Sequence, residues 1–352
     1  MKSYRLQGEI LAPVHIGTGQ TWEPLEYHID SQTKLLHRFS TEEILIDLEP
    51  SELEQFYQFN DSGDLNAVKL FITQKARERS KGSNHGAIVV TSAVAKLYDE
   101  KIDDISNQLL IGPMIRSKSK QQVFIPGSSL KGAIRTAIIS ELAKNSKLPK
   151  PNPFGREVWR FEADVLRYRD AKQDPFRAVK IADADLTPDA TFICQVFNIR
   201  KNREGNLDQT SIQLIHEVTH SNLSSKIYGE KVTFETELRL DIPLMNQRAV
   251  SQKFSIEQIK NSCNRFYRDK MNMEHEKFYV SSPLAEFSEE LLKEPVGENE
   301  CIIRVGRFSG VESVTLDEYR DPQPPGRNRG WGRSRNIADG KFPMGWVKIS
   351  IL

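Results

Sequence analysis

The chain has 352 residues, 38% of them hydrophobic and 28% charged, with a formal net charge of +1. That composition can bury one large core or two modest ones, and it excludes a collagen-like or broadly disordered chain. The near-neutral total hides clustering: Arg116, Lys118, Lys120, Lys131 and Arg135 occur with no acid before Glu141, and residues 320–352 hold seven basic and two acidic side chains. Two basic, glycine-containing segments on a neutral chain point to a polyanion partner, with a solvated charged face as the plain alternative. "MKSYRLQGEI" lacks the apolar run of ~7–15 residues of a secretory signal. No apolar run reaches the ~18–20 residues of a membrane span. Cys194, Cys263 and Cys301 lie far apart, which fits a reducing compartment and gives neither a disulfide framework nor a CxxC metal motif. A cytoplasmic protein without a membrane partner or cofactor is expected.

The N-terminus reads as a strand, with Tyr4, Leu6, Gly8 and Ile10 alternating against polar neighbours. A glycine loop, "PVHIGTGQT", follows, and then "LEYHIDSQTKLLHRF" reads as a hairpin turning near Asp30-Ser31. Residues 51–111 have helical spacing and are read as a helical insertion. "FIPGSSLKGAIRTAII" (124–139) runs as a short strand through Pro-Gly into a helix. Its Leu130, Ala133, Ile134, Ala137, Ile138 and Leu142 form a core-facing stripe. The polar "KNSKLPKPNPFGR" cannot continue that helix. "FRAVKIADADL", "ATFICQVFNI" and "SIQLIHEVTH" read as strands. "KVTFETELRLDI" is the clearest strand, with Val232, Phe234, Thr236, Leu238, Leu240 and Ile242 on one face. A long helix starts at Ser255, "ECIIRVG" is a short strand, and a glycine- and arginine-rich loop precedes a final strand, "GWVKISI". The order is that of an α+β, ferredoxin-like (RRM-like) βαββαβ core with insertions, and no internal repeat is evident. The expected division is residues 1–50 and 112–352 as core and 51–111 as the helical insertion. Strands beyond about residue 187 either complete one ferredoxin-like module or begin a second.

Several chemistries meet at 124–139. A Walker A loop is excluded, because Ala133 and Ile134 stand where Lys and Ser/Thr should follow the second glycine. "GTGQTW" fails as a dinucleotide loop, because Trp22 occupies the place of the third glycine. Ser128-x-x-Lys131 matches a serine–lysine nucleophile pair, but the accompanying Lys-Thr-Gly and Ser-Asp-Asn elements are absent. Lys131 also breaks a Gly-x-Ser-x-Gly elbow. No metal site is expected: His216 and His220 have no third ligand nearby. His15, beside the glycine loop formed by Gly17 and Gly19, is a candidate general base for RNA cleavage, with packing as the plain alternative. Anion binding has positive support, since helix-start N–H groups are unpaired and carry partial positive charge. There Gly127 would admit a phosphate, Ser128 and Ser129 would cap or donate, and Lys131 and Arg135 would add charge. In the tail, Arg327, Arg329, Arg333 and Arg335 offer bidentate phosphate contacts and Trp331 offers a face for an unstacked base.

Together these residues resemble the RAMP superfamily of CRISPR proteins. "FIPGSSLKGAIRTAI" is similar to its Ile-Pro-Gly-Ser-Ser-Leu-Lys-Gly-x-x-Arg signature, from Ile125 through Gly132 and then Arg135. "LAPVHIGTGQTWEPLEYHID" resembles the family's first strand and glycine loop. "DPFRAVKIADADL" resembles its strand ending in an Asp-containing turn. "GRFSGVESVTL" and "FPMGWVKI" resemble the C-terminal region of the branch that forms the fifth subunit of the type III-A Csm effector complex. The resemblance implies a ferredoxin-like, RNA-binding subunit that caps the backbone filament at the 3′ part of the CRISPR RNA. It implies a need for this subunit in CRISPR RNA maturation, without a cut of its own. The implied partners are CRISPR RNA, adjacent backbone and small subunits, target RNA through the guide, and a trimming nuclease. Asp30 is the one acid to compare with the cleaving aspartate of the backbone subunits, and no motif supports it. Some relatives are metal-independent ribonucleases with a histidine near the glycine loop, which keeps His15 as the alternative.

Overall fold

The structure, a computed structural model, describes the chain apart from residues 81–85, 103, 105–107, 147, 149–156, 203–206, 210–213, 249, 281 and 317–331. From the N-terminus the chain forms β1 (Lys2–Ile10), the hairpin β2 (Tyr27–Asp30) and β3 (Leu35–Arg38), helices α1 (Thr41–Ile46), α2 (Pro50–Asp61) and α3 (Leu65–Ser80), strand β4 (Ile88–Val90) and α4 (Ser92–Lys101). Strands β5 (Ile111–Gly112) and β6 (Phe124–Ile125) lead into α5 (Gly127–Lys144). Then come α6 (Glu157–Val165), β7 (Val179–Ile181), β8 (Ala184–Asp185), β9 (Thr191–Lys201), β10 (Leu207–Gln209), β11 (Leu214–Thr219) and α7 (Asn222–Tyr228). The C-terminal part holds β12 (Thr233–Leu240), α8 (Ile242–Met245), α9 (Ile256–Glu274), α10 (Ala285–Lys293), β13 (Glu300–Arg304), α11 (Val311–Val314), β14 (Ser334–Ala338) and β15 (Trp346–Ile351).

This is a mixed α+β fold. One sheet runs β13-β15-β1-β12-β7, every neighbouring pair antiparallel. Alternation puts Leu6, Gly8 and Ile10 of β1 and Phe234, Thr236, Leu238 and Leu240 of β12 on the buried face. Against that face lie α5, through Leu130, Ala133, Ile134, Ala137 and Ile138, and α9, whose Ser255 caps it by accepting from Gln258 N–H at 3.1 Å. Strands β1 and β7 are parallel with β12 between them, and α5 lies on the connection from one to the other. The final strand β15 takes the place beside β1 on the far side, and β13 adds at the edge. A second sheet runs β2-β3-β4-β9-β11-β5, with β10 and β14 also on β9.

Two segments differ from the sequence reading. Within 51–111, read as helical, residues 88–90 form β4, which pairs with β3 and β9. Three residues between polar turns are too few to show a period. In the arginine-rich tail, residues 334–338 form β14, paired antiparallel with β9. Arginine at a strand position suggested a loop, but its charge is met from distant elements, as described below. Most of "KNSKLPKPNPFGR" lies outside the described residues.

Candidate nucleic-acid interface

The glycine loop is fixed at its ends and open at its tip. Val14 N–H donates to Thr219 Oγ1 at 3.0 Å, Ile115 N–H to the Ile16 carbonyl at 2.7 Å, and Trp22 exchanges backbone bonds with Ile111 at 2.8 and 3.0 Å. Between these anchors Gly17, Thr18, Gly19, Gln20 and Thr21 are exposed.

The start of α5 departs from the anion-site reading. Pro126 is the N-cap, no side chain of the serines caps, and Gly127 N–H donates to the Asp183 carboxylate at 2.7 Å. The helix start therefore already holds an anion, supplied by the "IADADL" turn. A Cβ on Gly127 would lie 2.1 Å from the Ile181 carbonyl oxygen, so this glycine serves the approach of α5 to β7 rather than of a phosphate. Gly127→Ala must push the helix off that strand. It is expected to lower the unfolding free energy by about 1–3 kcal/mol in denaturant titration.

One turn further on, the helix is open. Ser129, Gly132, Ala133 and Thr136 fall at i, i+3, i+4 and i+7 and form a flat face of small residues. With Ile16, Gly17, Thr18 and Gly19 opposite, and Val305, Gly306, Arg307 and Ser309 beyond, they line a cleft of about 690 Å³. The third wall is set by backbone contact: Arg307 N–H donates to the His15 carbonyl at 2.9 Å, and Gly306 (φ 94°) leaves no room there for a Cβ, which would sit 2.6 Å from the same oxygen. Arg304 lies buried beneath the cleft, while Arg307 is exposed and makes no ion pair among the described residues. Gly132 is exposed, and a Cβ there would meet nothing within 4 Å. A glycine inside a helix costs about 1 kcal/mol relative to alanine.

The basic clusters are largely used within the chain. Arg116 binds both oxygens of Glu217, at 2.7 and 2.5 Å, and Lys120 meets Asp185 at 2.9 Å. Arg135 binds Asp174 at 3.1 and 3.0 Å, nears Glu162 at 3.5 Å and stacks over Phe176. Arg135 is thus a clamp between α5 and the segment before β7, not a free phosphate contact. Lys131 shares its face, away from the cleft-lining residues, and has no ion pair among the described residues. Burial, with Arg135 and Lys180 opposing Asp174, holds its pKa below the usual lysine value. In the tail, Arg335 is 2% exposed and binds Glu274 at 2.7 Å and Glu312 at 2.9 Å, so it is a buried structural residue and does not reach a ligand. Arg333 is exposed; Arg327, Arg329 and Trp331 lie outside the described residues.

His15 is 2% exposed, with Nδ1 on the Glu217 carbonyl at 2.7 Å and its ring against His216 and Phe308. A general base needs hydrogen-bond reach to a substrate hydroxyl. This imidazole is instead a packed strut under the glycine loop. Burial, partly offset by Glu217, lowers its pKa; burial and the nearby His15 push His216 down to about 3. Both rings fold neutral, whereas the unfolded chain protonates them near pH 6.5. Stability is therefore expected to fall as pH drops below about 6.5, by up to ~1.4 kcal/mol per pH unit for each histidine. Thermal melts from pH 7 to 4 check this, and His216→Gln should flatten the profile. Among the described residues, no group of three or more His, Cys, Asp or Glu side chains is arranged to hold a metal ion. No described helix is long and apolar enough to cross a membrane.

Sequence reasoning placed Gly17, Gly19 and Ser129 at the site, and the structure brings them together. Ser128 is exposed at the helix start but outside the cleft lining. Arg307, Gly306 and Thr136 were missed; the signal was present in "GRFSGVES", whose arginine sits between small residues.

The family described as the RAMP superfamily matches residues 8–313, and the chain belongs to it. Among curated proteins it is similar to the CRISPR system Cms protein Csm5 of Methanocaldococcus jannaschii, 25% identical over 288 residues, which are 76% of this chain. The chain spans 62% of that relative's length. Its fold is shared with a chain in the cryo-EM structure of a Csm-crRNA-target RNA ternary complex of a type III-A CRISPR-Cas system, with TM-score 0.67, 19% identity and 100% of both chains covered. It is also shared with the crystal structure of T. onnurineus Csm5, with TM-score 0.60, 19% identity and 98% and 100% covered.

Proposed function

We propose that the protein is an RNA-binding subunit of a type III-A CRISPR Csm interference complex, itself non-catalytic and cytoplasmic. In this reading it caps the backbone filament at the 3′ part of the CRISPR RNA and supports maturation of that RNA. Its partners are the CRISPR RNA, adjacent backbone and small subunits, target RNA through the guide, and a trimming nuclease. The likeness to Csm5 relatives supports the assignment. The cleft carries it physically: a flat, small-residue face opposite a glycine loop, rimmed by an arginine that has no ion pair among the described residues, admits a sugar-phosphate backbone closely and reads no sequence. Gly132 supports this reading because it leaves the cleft face of α5 without a side chain, at a position where a Cβ would meet nothing within 4 Å. Gly17, Gly19, Ser129, Gly132 and Arg307 form the central contact, with Ser128, Arg333 and the tail residues Arg327, Arg329 and Trp331 extending it, while Lys131, on the other side of α5, would meet RNA only outside the cleft. The β1, β7, β12 and β15 arrangement with α5 and α9 supports a ferredoxin-like core, with 51–111 as an insertion into it. A second module from about residue 187 would take in β9 and β11.

Arg307→Ala tests the reading. Binding of single-stranded CRISPR RNA should weaken, and the slope of log K against log salt should fall by ~0.7, the value for one phosphate contact on a single strand. An unchanged slope and affinity would remove Arg307 from the interface.

A further inference from the structure

Helix α2 is not explained by the cleft. It has 12 residues and none of them is fully buried. Helices of ~12–15 residues are marginal unless they pack an apolar face, and here Phe56 and Phe59 supply only a partly buried contact to the small cluster around Ile44, Phe71 and Ile72. Its outer face carries Tyr57, 54% exposed, between Glu54 and Asp61 at i−3 and i+4. Further apolar side chains stand in solvent on the flanking helices: Ile46 (81%) just before α2 and Leu65 (79%) just after it. Residues 41–64 contain eight carboxylates and no lysine, arginine or histidine. Two are met by α3, Glu52 by Lys75 at 2.6 Å and Asp47 by Arg79 at 3.0 Å; Glu42, Glu54 and Asp61 make no ion pair among the described residues.

We infer that the outer face of α2 is a protein-docking surface for a basic partner, with Tyr57 as its apolar anchor and Glu54 and Asp61 as its charged rim. An exposed aromatic flanked by charge is the make-up of an interface centre with its rim. The sign of that rim repels RNA and attracts lysine and arginine. The surface would seat a neighbouring protein, while the RNA lies in the cleft. The identity of that neighbour as a subunit of the same complex rests on the function proposed above; the chemistry of the surface does not.

The test compares the full-length chain with a Tyr57→Ala, Glu54→Lys, Asp61→Lys variant by hydrogen exchange, alone, with CRISPR RNA, and assembled with the other Csm subunits and RNA. All three side chains are exposed, so the variant should fold, and an unchanged melting curve checks that. Amides of residues 50–61 should exchange at least tenfold more slowly in the assembly, should be unaffected by RNA alone, and should lose that protection in the variant. Protection by RNA alone, protection through self-association of the pure chain, or an incorporated chain with α2 as open as before would each overturn the inference. If the chain does not enter the complex at all, the proposed function fails, and titration with a lysine–leucine amphipathic peptide decides the surface separately. Binding at least tenfold tighter to the wild type than to the variant supports it, and equal binding overturns it.

Discussion

Glu274→Ala is expected to lower the unfolding free energy by about 3–5 kcal/mol, the largest stability loss of any single side chain considered. Glu274 is 1% exposed and lies between two guanidinium groups that are themselves 2% exposed, Arg304 and Arg335. Arg304 binds it through Nη1 and through Nη2 at 3.0 Å, Arg335 binds it through Nε at 2.7 Å, and the Tyr279 hydroxyl donates to it at 2.8 Å. Burial works against the Glu274 charge, but Arg304 and Arg335 outweigh it and hold its pKa below the usual carboxylate value. Removing the carboxylate strands two buried cations, and Glu312 can answer only one of them, Arg335 at 2.9 Å. The loss reaches the site as well. Arg304 underlies the cleft, and the Glu312–Arg335 pair joins the chain on either side of residues 317–331. Glu274→Gln keeps the shape and should cost less. Urea titration of both variants checks the order; a loss below about 1 kcal/mol for Glu274→Ala would contradict the account.

Gly132→Gln should separate stability from RNA binding. A helix former in place of an exposed mid-helix glycine should raise the unfolding free energy by up to about 1 kcal/mol. The same side chain fills the cleft space that the proposed function assigns to RNA. A forced contact of that kind typically costs about 1–3 kcal/mol, or roughly five- to 150-fold in Kd. Gly132→Ala adds a single methyl group, so it should stabilise at least as much and weaken RNA binding less. A structural role for Gly132 would instead move both quantities down together.

The elements themselves were legible where period and capping agree: β1, β12, α5 and the Ser255-capped α9 follow from spacing alone. The site was legible in part. Gly17, Gly19 and Ser129 carry their signal locally, in a loop and a helix turn. What could not be read was pairing at long range. Arg135 and Arg335 look like free cations in sequence, because Asp174, Glu274 and Glu312 lie 39, 61 and 23 positions away along the chain. Gly127 looked like a phosphate contact because its close neighbour, the Ile181 carbonyl, arrives only with the fold. The helix start was read as a place for an RNA phosphate, whereas in the fold its Gly127 N–H is taken by the Asp183 carboxylate. His15 beside a glycine loop could be read either as a general base or as a packed side chain, and the rings of His216 and Phe308 around it show the packed one.

The most direct measurement is site-specific cross-linking of bound CRISPR RNA. A photoreactive p-benzoylphenylalanine replaces Thr136 at the cleft in one protein and Tyr57 on α2 in another. RNA adducts are expected from position 136 and none above background from position 57. The reverse, adducts from position 57 with none from position 136, would contradict the proposed placement of RNA in the cleft.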